Sequence, residues 1–363
     1  MVQRSLLVLT VGGLLAAGAG AVAGPQQIMT KGLTAVAGVK VGHYTLTERP
    51  TGCTVVLVEQ GAVAGVDVRG GAPGTRETDL LDPANTVQQV HAIVLAGGSA
   101  FGLDAASGVM RYLEERGIGF KTATGPVPIV PAAILIDLQV GDNPKVRPTA
   151  DCGYRAALAA STDVVAEGNV GAGAGATIGK IAGFSHAMKG GTGTASIALP
   201  NGTIVAALVV VNAAGDVIDP STGRVVAGMR TGDGRGLADV RLLLRQHPLA
   251  EISRPGVLEN TTLGVVATNA RLTKAQATKL AQMAQDGIAR AIAPAHTPWD
   301  GDTVFALAAG TEGTTGPGGA TGVNDSELLQ LGALAADVVA DAIVRAARAA
   351  TSIPGYPAAR DLR

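Results

Sequence analysis

Seven short runs rich in Val or Ile recur along this chain, at residues 54–58, 62–68, 91–95, 164–167, 203–211, 263–268 and 303–308. Each is bounded by Gly, Pro, Asn or Asp, the pattern of β-strands closed off by turns. Helical periodicity falls between them, at 102–115, 154–160, 273–293 and 325–349. In the third of these, Leu280, Met283, Ile288 and Ile292 recur near helical spacing. Thr273 is the expected N-cap there, and Asp325 or Ser326 that of the last helix. Pro200-Asn201-Gly202 separates two strand-like runs and predicts a hairpin. Strands in groups, with helices between the groups, predict a layered α+β architecture rather than a doubly wound parallel sheet. No internal repeat appears. The charged stretch 237–259, with Pro248 and Pro255, reads as an exposed connection.

Composition removes several function classes. Hydrophobic residues are 47% of the 363, enough for a large core, while aromatics are only 2%. A stacking platform for single-stranded nucleic acid needs aromatic faces, so that class is excluded. A formal net charge of −1 gives no bulk attraction to nucleic acid or anionic lipid. The 51 glycines follow no collagen-like period and point to tight turns and close backbone packing. At the start of the chain, Arg4, an apolar run from Leu6 to Ala19, and Ala21-Val22-Ala23 have the form of a secretory signal over residues 1–23. The expectation is a periplasmic or secreted protein, with no membrane span in its mature form. Export would permit Cys53 and Cys152 to pair, but two cysteines 99 positions apart read better as buried free thiols. They do not form a metal site.

Two motifs tempt and fail. The glycine-rich stretch 168–180 ends in Gly179-Lys180, but a phosphate loop needs Gly where Ala174 stands and Ser or Thr where Ile181 stands. It reads instead as a turn whose N–H groups face a pocket. Gly97-Gly98-Ser99-Ala100-Phe101 resembles a nucleophile elbow, but Phe101 occupies the position of its last glycine. The five histidines (His43, His91, His186, His247, His296) show no paired metal spacing, and each reads as structural.

Glu259-Asn260-Thr261-Thr262 runs directly into the strand-like segment 263–268. Cleavage between Asn260 and Thr261 would give one residue both a hydroxyl and a free α-amine, so that the nucleophile carries its own general base. An α-amine has a reference pKa of roughly 7.7–8.0 and is partly neutral near pH 7. Read locally, two β-favouring threonines starting a strand explain the junction equally well.

Several further segments occur in a set order: Gly38-Val39-Lys40-Val41-Gly42-His43, Thr51-Gly52-Cys53-Thr54, Gly97-Gly98-Ser99-Ala100-Phe101-Gly102-Leu103, Gly168-Asn169-Val170-Gly171, Lys189-Gly190-Gly191-Thr192-Gly193-Thr194-Ala195 and Val266-Ala267-Thr268. In sequence and order, from about 33 to 348, the chain resembles the self-cleaving D-aminopeptidase/β-peptidyl aminopeptidase family, which includes the hydrolase of 6-aminohexanoate (nylon) oligomers. The resemblance implies a four-layer αββα sandwich of N-terminal-nucleophile type. It implies an α-subunit of residues 24–260 and a β-subunit of 261–363, with Thr261 as nucleophile and Thr262 as its neighbouring candidate. Asp300 and Asp302 of Trp299-Asp300-Gly301-Asp302 would orient the threonine and relay its proton. Asn212 would donate to an oxyanion, Lys180 would lie near the nucleophile, and Tyr154 is a weaker substrate-binding candidate. The Asp-Gly-Asp pair and the Thr nucleophile match the nylon-oligomer type better than the Ser-type aminopeptidases, whereas segment 131–138 departs from members that place a Tyr nearby. The implied substrate is a small ω-amino-acid oligoamide or, alternatively, a D- or β-amino acid peptide. No metal or organic cofactor is implied. The expected assembly is a homo-oligomer of αβ protomers, such as a tetramer. A self-cleaving acetyltransferase fits export less well, and a binding protein with an uncut loop is the non-enzymatic rival.

Overall fold

The computed structural model describes residues 31–252, 260–310, 317–318 and 322–362. The expected signal segment 1–23 and Glu259 lie outside these. Among the described residues, nine strands share one sheet. Its main strands are β1 (Lys40–Thr45), β2 (Gly52–Val68), β3 (Val90–Ala96), β4 (Ala132–Ile134), β5 (Gly191–Ala198), β6 (Ile204–Asn212), β7 (Thr261–Thr268) and β8 (Thr303–Ala308). Their order is β5-β6-β7-β8-β2-β3-β4, with Thr75–Arg76 at the edge and β1 pairing beside β2. Only β7–β8 and β3–β4 are parallel, which agrees with an α+β class and excludes a doubly wound sheet.

The predicted runs 54–58 and 62–68 are one strand. β2 passes through an irregularity between Leu57 and Ala62, where Gly61 takes φ +82°. Before that kink β2 pairs with β3; after it Ala62 still pairs with Val90 of β3, and residues 63–68 pair with β8. A positive-φ glycine thus turns an apparent break into a bend that keeps the ladder continuous. The run 164–167 is no strand. Val164 is exposed, and Glu167 uses its carboxylate, not a ladder, to accept the Thr194 N–H at 2.9 Å. The hairpin forms as expected between β5 and β6, closed by Leu199 N–H to Thr203 O at 2.8 Å.

The helices are α1 (Ala105–Glu114), α2 (Ala150–Leu158), α3 (Lys274–Ala291) and α4 (Asp325–Ala349), with shorter turns between. Thr273 caps α3 in a reciprocal box with Gln276. Asn324, one residue before the first of the expected candidates, caps α4 in the same way with Glu327. The connection 237–259 carries two short helices, Val240–Gln246 and Leu249–Ile252.

Alternation along the strands sorts the core into stacked clusters. Val205, Ala207, Val209 and Val211 of β6 pack with Leu280, Ile288, Val339 and Ile343 of α3 and α4. The intervening Ala206, Leu208 and Val210 join Val265, Phe305, Val56, Ile93 and Leu95 in a second cluster. Val55, Leu57 and Val94 face the other way, onto Val109 and Leu113 of α1 and Ala156 of α2. Strands buried on both faces need this apolar run, which is why the pattern was so visible in the sequence.

Cys53 on β2 and Cys152 on α2 are joined as a disulfide with Cα atoms 6.3 Å apart, correcting the free-thiol expectation. Strand pairing and the packing of α2 bring together two residues whose 99-residue separation concealed them. Among the described residues no helix is long and apolar enough to cross a membrane.

Candidate active site

The N-terminal end of β7 holds most of the predicted site. β6 runs antiparallel to β7, with Asn212 directly opposite Thr261. Directly opposed residues project from the same face, so Asn212 and Thr261 are side-by-side neighbours. On the other flank β8 runs parallel to β7, and Asn260 extends the ladder by bridging to Asp300. The ladder therefore brings together four of the predicted residues, from positions 212, 260, 261 and 300.

The peptide link between Asn260 and Thr261 is held tightly. The Gly301 N–H donates to the Asn260 carbonyl oxygen at 2.9 Å, and the Thr261 hydroxyl donates to the same oxygen. The Thr262 N–H donates to Asp302 Oδ1 at 2.6 Å. Successive strand residues face opposite ways, so Thr262 points away from Asn212 while its N–H remains tied to Asp302. Gly301 is needed here because a Cβ at that position would lie 2.8 Å from Thr261 Oγ1 and 3.0 Å from the Ala72 carbonyl. Gly70 and Ala72 donate to the Asp302 and Asp300 carbonyls and lock the acidic turn against the end of β2.

Both carboxylates are almost wholly buried, as is Thr261. Burial, reinforced by the charge of Asp302, pushes the Asp300 carboxyl up to about 6; hydrogen bonds from Thr297 and the charge of Lys180 oppose this. Lys180 donates from Nζ to the Asn212 carbonyl at 3.0 Å and to Asn212 Oδ1 at 2.9 Å. Thr177 adds its N–H to Oδ1 at 3.0 Å. Asn212 Nδ2 donates to the Ile136 carbonyl at 3.1 Å. With Oδ1 fixed as acceptor, the amide flip is set and a second N–H of Nδ2 is held in a defined direction.

Tyr154 does not join this cluster. It lies on α2, donates its hydroxyl to Glu115 Oε2 at 2.8 Å, and packs edge-on to Tyr112. Those partners sit on and just beyond α1, on the helical face that covers β2 and β3, so no contact links Tyr154 to Thr261. In the glycine-rich stretch the Gly171 N–H donates to Thr45 Oγ1 and the Ala172 N–H to Thr54 Oγ1, while the Thr177 N–H turns to Asn212 in the candidate site.

Sequence reasoning missed four participants: His296, Lys189, Arg49 and Asp137. His296 bonds Asp302 Oδ2 through its ring Nδ1 at 2.9 Å. Lys189, fully buried, donates to the carbonyls of Gly173, Ala176 and Gly190, each at 2.9 Å. Desolvation pulls its pKa down to about 7, against the raising effect of Asp137. Arg49 and Asp137 form a buried ion pair at 2.9 Å, one residue beyond the Ile136 carbonyl that holds Asn212. Only His296 had a local clue, its position six residues before Asp302, and that spacing matches no metal or triad pattern.

The family model for peptidase family S58 matches residues 31–360. The chain belongs to peptidase family S58. It is 46% identical over 351 residues to an uncharacterized aminopeptidase of Mycobacterium tuberculosis, covering 91% of this chain and 97% of that protein. To a 6-aminohexanoate-oligomer endohydrolase of Kocuria sp. it is 32% identical over 320 residues, covering 86% and 84%. Among solved structures it resembles a β-aminopeptidase of Burkholderia sp. at TM-score 0.66 and 26% identity, covering 90% and 89%. It also resembles, at TM-score 0.64 and 21% identity with the same coverage, an Ochrobactrum anthropi aminopeptidase whose fold is described as a variant of the Ntn-hydrolase fold. The α+β fold of this chain is thus shared with a variant of the Ntn-hydrolase fold, and the family is one of peptidases.

Proposed function

We propose that this S58 chain is a self-processing amide hydrolase whose nucleophile is Thr261. The observation that carries the reading is the Asn260 carbonyl, which accepts from both the Gly301 N–H and the Thr261 hydroxyl while Asp302 holds the next N–H. In the first stage Thr261 Oγ attacks the Asn260 carbonyl carbon. Gly301 N–H stabilises the developing oxyanion, and preorganised donors of this kind are worth about 3–4 kcal/mol each. Collapse breaks the C–N bond and leaves an ester on Thr261, with the nitrogen taking up a proton as the α-amine. Water then releases the chain ending at Asn260.

In the second stage the freed Thr261 attacks a substrate amide, with its own amine accepting the hydroxyl proton and returning it to the leaving nitrogen. Asn212 donates to the oxyanion, and Lys180 fixes that amide and supplies positive charge. Asp300 and Asp302 orient the new N-terminus. The α-subunit would be residues 24–260 and the β-subunit 261–363. The three stacked apolar clusters support a four-layer αββα reading of the Ntn-type fold. Export of the chain is supported by the Cys53–Cys152 disulfide, since such bonds persist in oxidising compartments.

For substrate we propose linear ω-amino-acid oligoamides, on the ground of the Thr-type junction and the Asp-Gly-Asp pair. A second reading, an aminopeptidase on D- or β-amino acid peptides, is favoured by the 46% identity to the mycobacterial aminopeptidase. An N-acetylated oligoamide separates them: an endohydrolase cuts it, an aminopeptidase does not. Assembly as a homo-oligomer of αβ protomers, a tetramer, is proposed from the family resemblance and is checked by light scattering.

Denaturing electrophoresis tests the central claim. The purified protein should run as two fragments with Thr at the start of the smaller one, and Thr261→Ala should run as one uncut chain. A single band in both proteins would end the self-processing reading.

A further inference from the structure

We propose that His296 is a positioning residue for the Thr261 chemistry: as an imidazolium it anchors Asp302 and fixes the negative charge of the aspartate pair there, leaving the shared proton on Asp300. This rests on the assignment of Asp300 and Asp302 to the Thr261 site.

Three donors converge on Asp302. Oδ1 accepts the Thr262 N–H at 2.6 Å. Oδ2 accepts the main-chain N–H of His296 at 3.0 Å and its ring Nδ1 at 2.9 Å. His296 reaches both positions by taking φ +56°, a left-handed conformation that is uncommon for a residue with a Cβ. Strain of this kind persists where the surroundings hold it, and it gathers at working sites. The backbone is bent so that one residue delivers two donors to one carboxylate oxygen.

The main-chain carbonyl of Gln285 on α3 also lies near the ring and favours its charged form. Burial pulls the His296 pKa down, and the charge of Arg69 acts in the same direction. The hydrogen bond and charge of Asp302, with the Gln285 carbonyl, outweigh them and raise it. Arg69 is itself paired with Asp67 at 2.7 Å, and Lys180 faces Asp300 rather than the ring.

Asp300 has a different environment. The Thr297 N–H reaches its Oδ2 at 2.7 Å and the charge of Lys180 acts on it, but among the described residues no cation is in direct ion-pair contact with it as His296 is with Asp302. Two neighbouring carboxylates resist ionising together, so one proton is retained, and it goes to the one with the weaker support. The cation on Asp302 therefore decides that Asp300 carries the proton. The division of labour follows: Asp302 is a fixed anion holding the Thr262 N–H, and Asp300 exchanges a proton with the Thr261 hydroxyl or amine.

The test has two arms. In the first, the ring nitrogens of full-length, ¹⁵N-histidine-labelled Thr261→Ala protein are followed through a pH titration, with His296 assigned by its loss in a His296→Asn variant. His296 should titrate above the ordinary histidine value and fall by about one pH unit or more when Asp302→Asn is added. A His296 that titrates at or below the ordinary value, or that ignores Asp302→Asn, overturns the proposal. This arm needs no cleavage, so it stands or falls separately from the nucleophile assignment.

In the second arm, His296→Asn is compared with the unaltered chain in self-cleavage and amide turnover. Asparagine accepts positive φ and keeps the main-chain donor but lacks the charge. The expected result is a roughly 10–100-fold lower kcat with KM unchanged, and an acidic limb moved to higher pH. An unmoved limb, with activity lost only in proportion to melting temperature, would make His296 a structural residue and refute the proposal.

Discussion

At the residue scale the junction is most sensitive to Gly301. Any Cβ there enters the space of Thr261 Oγ1 and the Ala72 carbonyl. Gly301→Ala should therefore leave the fold intact but slow self-cleavage at least tenfold, since an ångström of misplacement at a reacting atom costs on the order of 10²-fold. Time-resolved denaturing electrophoresis after expression checks this, and unchanged processing would remove Gly301 from the mechanism. Asp300 gives a pH prediction. Its folded pKa of about 6 lies above its ordinary 3.8, so its protonated form is favoured by folding. That contribution to stability is complete below the ordinary value and is lost as pH rises through about 6. Turnover should rise across the same window, as Asp300 ionises and accepts from the Thr261 amine. Asp300→Asn should flatten this limb in the pH profile of kcat, and a limb that survives the substitution would assign it to another group.

At the scale of elements, what was legible in the sequence and what was not follow from the range of the forces involved. Strands β6, β7 and β8 were visible because both faces are buried and every position except Asn212 is apolar or small. Helices α3 and α4 were visible through their periodicity. The continuity of β2 was hidden because Gly61 reads locally as a terminator, and only pairing with both β3 and β8 makes it a kink. Thr261, Asp300, Asp302, Asn212 and Lys180 were carried by family pattern rather than local chemistry; the register of β6, β7 and β8 is what unites most of them. Lys189, Arg49 and Asp137 were missed because most of their partners lie far away in the sequence, and His296 because its six-residue spacing to Asp302 matches no rule. Arg49 matters at this scale because it joins the segment after β4 to the start of β2. It donates to the Val140 and Val146 carbonyls as well as to Asp137, while Asp137 also accepts from Thr51 and the Gly98 N–H. Removing the cation leaves a buried carboxylate unpaired, a loss of about 3–5 kcal/mol. Arg49→Met should show that loss in urea unfolding. Because Ile136 precedes Asp137 and holds the Asn212 amide, kcat should fall with it under conditions where the variant is still folded. A loss below about 1 kcal/mol would mean that the remaining donors suffice.

For the whole molecule, α2 and β2 are covalently tied as well as packed. The Cys53–Cys152 bridge closes a segment of 99 positions, and closing so long a loop restricts the unfolded chain strongly. The bridge lies in the cluster between β2, β3, α1 and α2, away from the cluster of α3 and α4. Its loss should therefore act on global stability and leave the Thr261 geometry unchanged. Cys53→Ala/Cys152→Ala should lower unfolding free energy by about 2–5 kcal/mol, while the extent of self-cleavage and the KM of the folded fraction stay as they were. The same fall should appear in the unaltered protein on full reduction and should be absent when the double variant is treated with reductant. Equal melting temperatures with and without reductant, in a protein shown by mass to contain the bond, would mean that the packing of α2 alone secures that side of the molecule. A drop in self-cleavage matching the drop in stability would instead show that the two sides of the sheet are coupled through β2, whose kink at Gly61 is the mechanical link between the bridge and the neighbour strand of the active site.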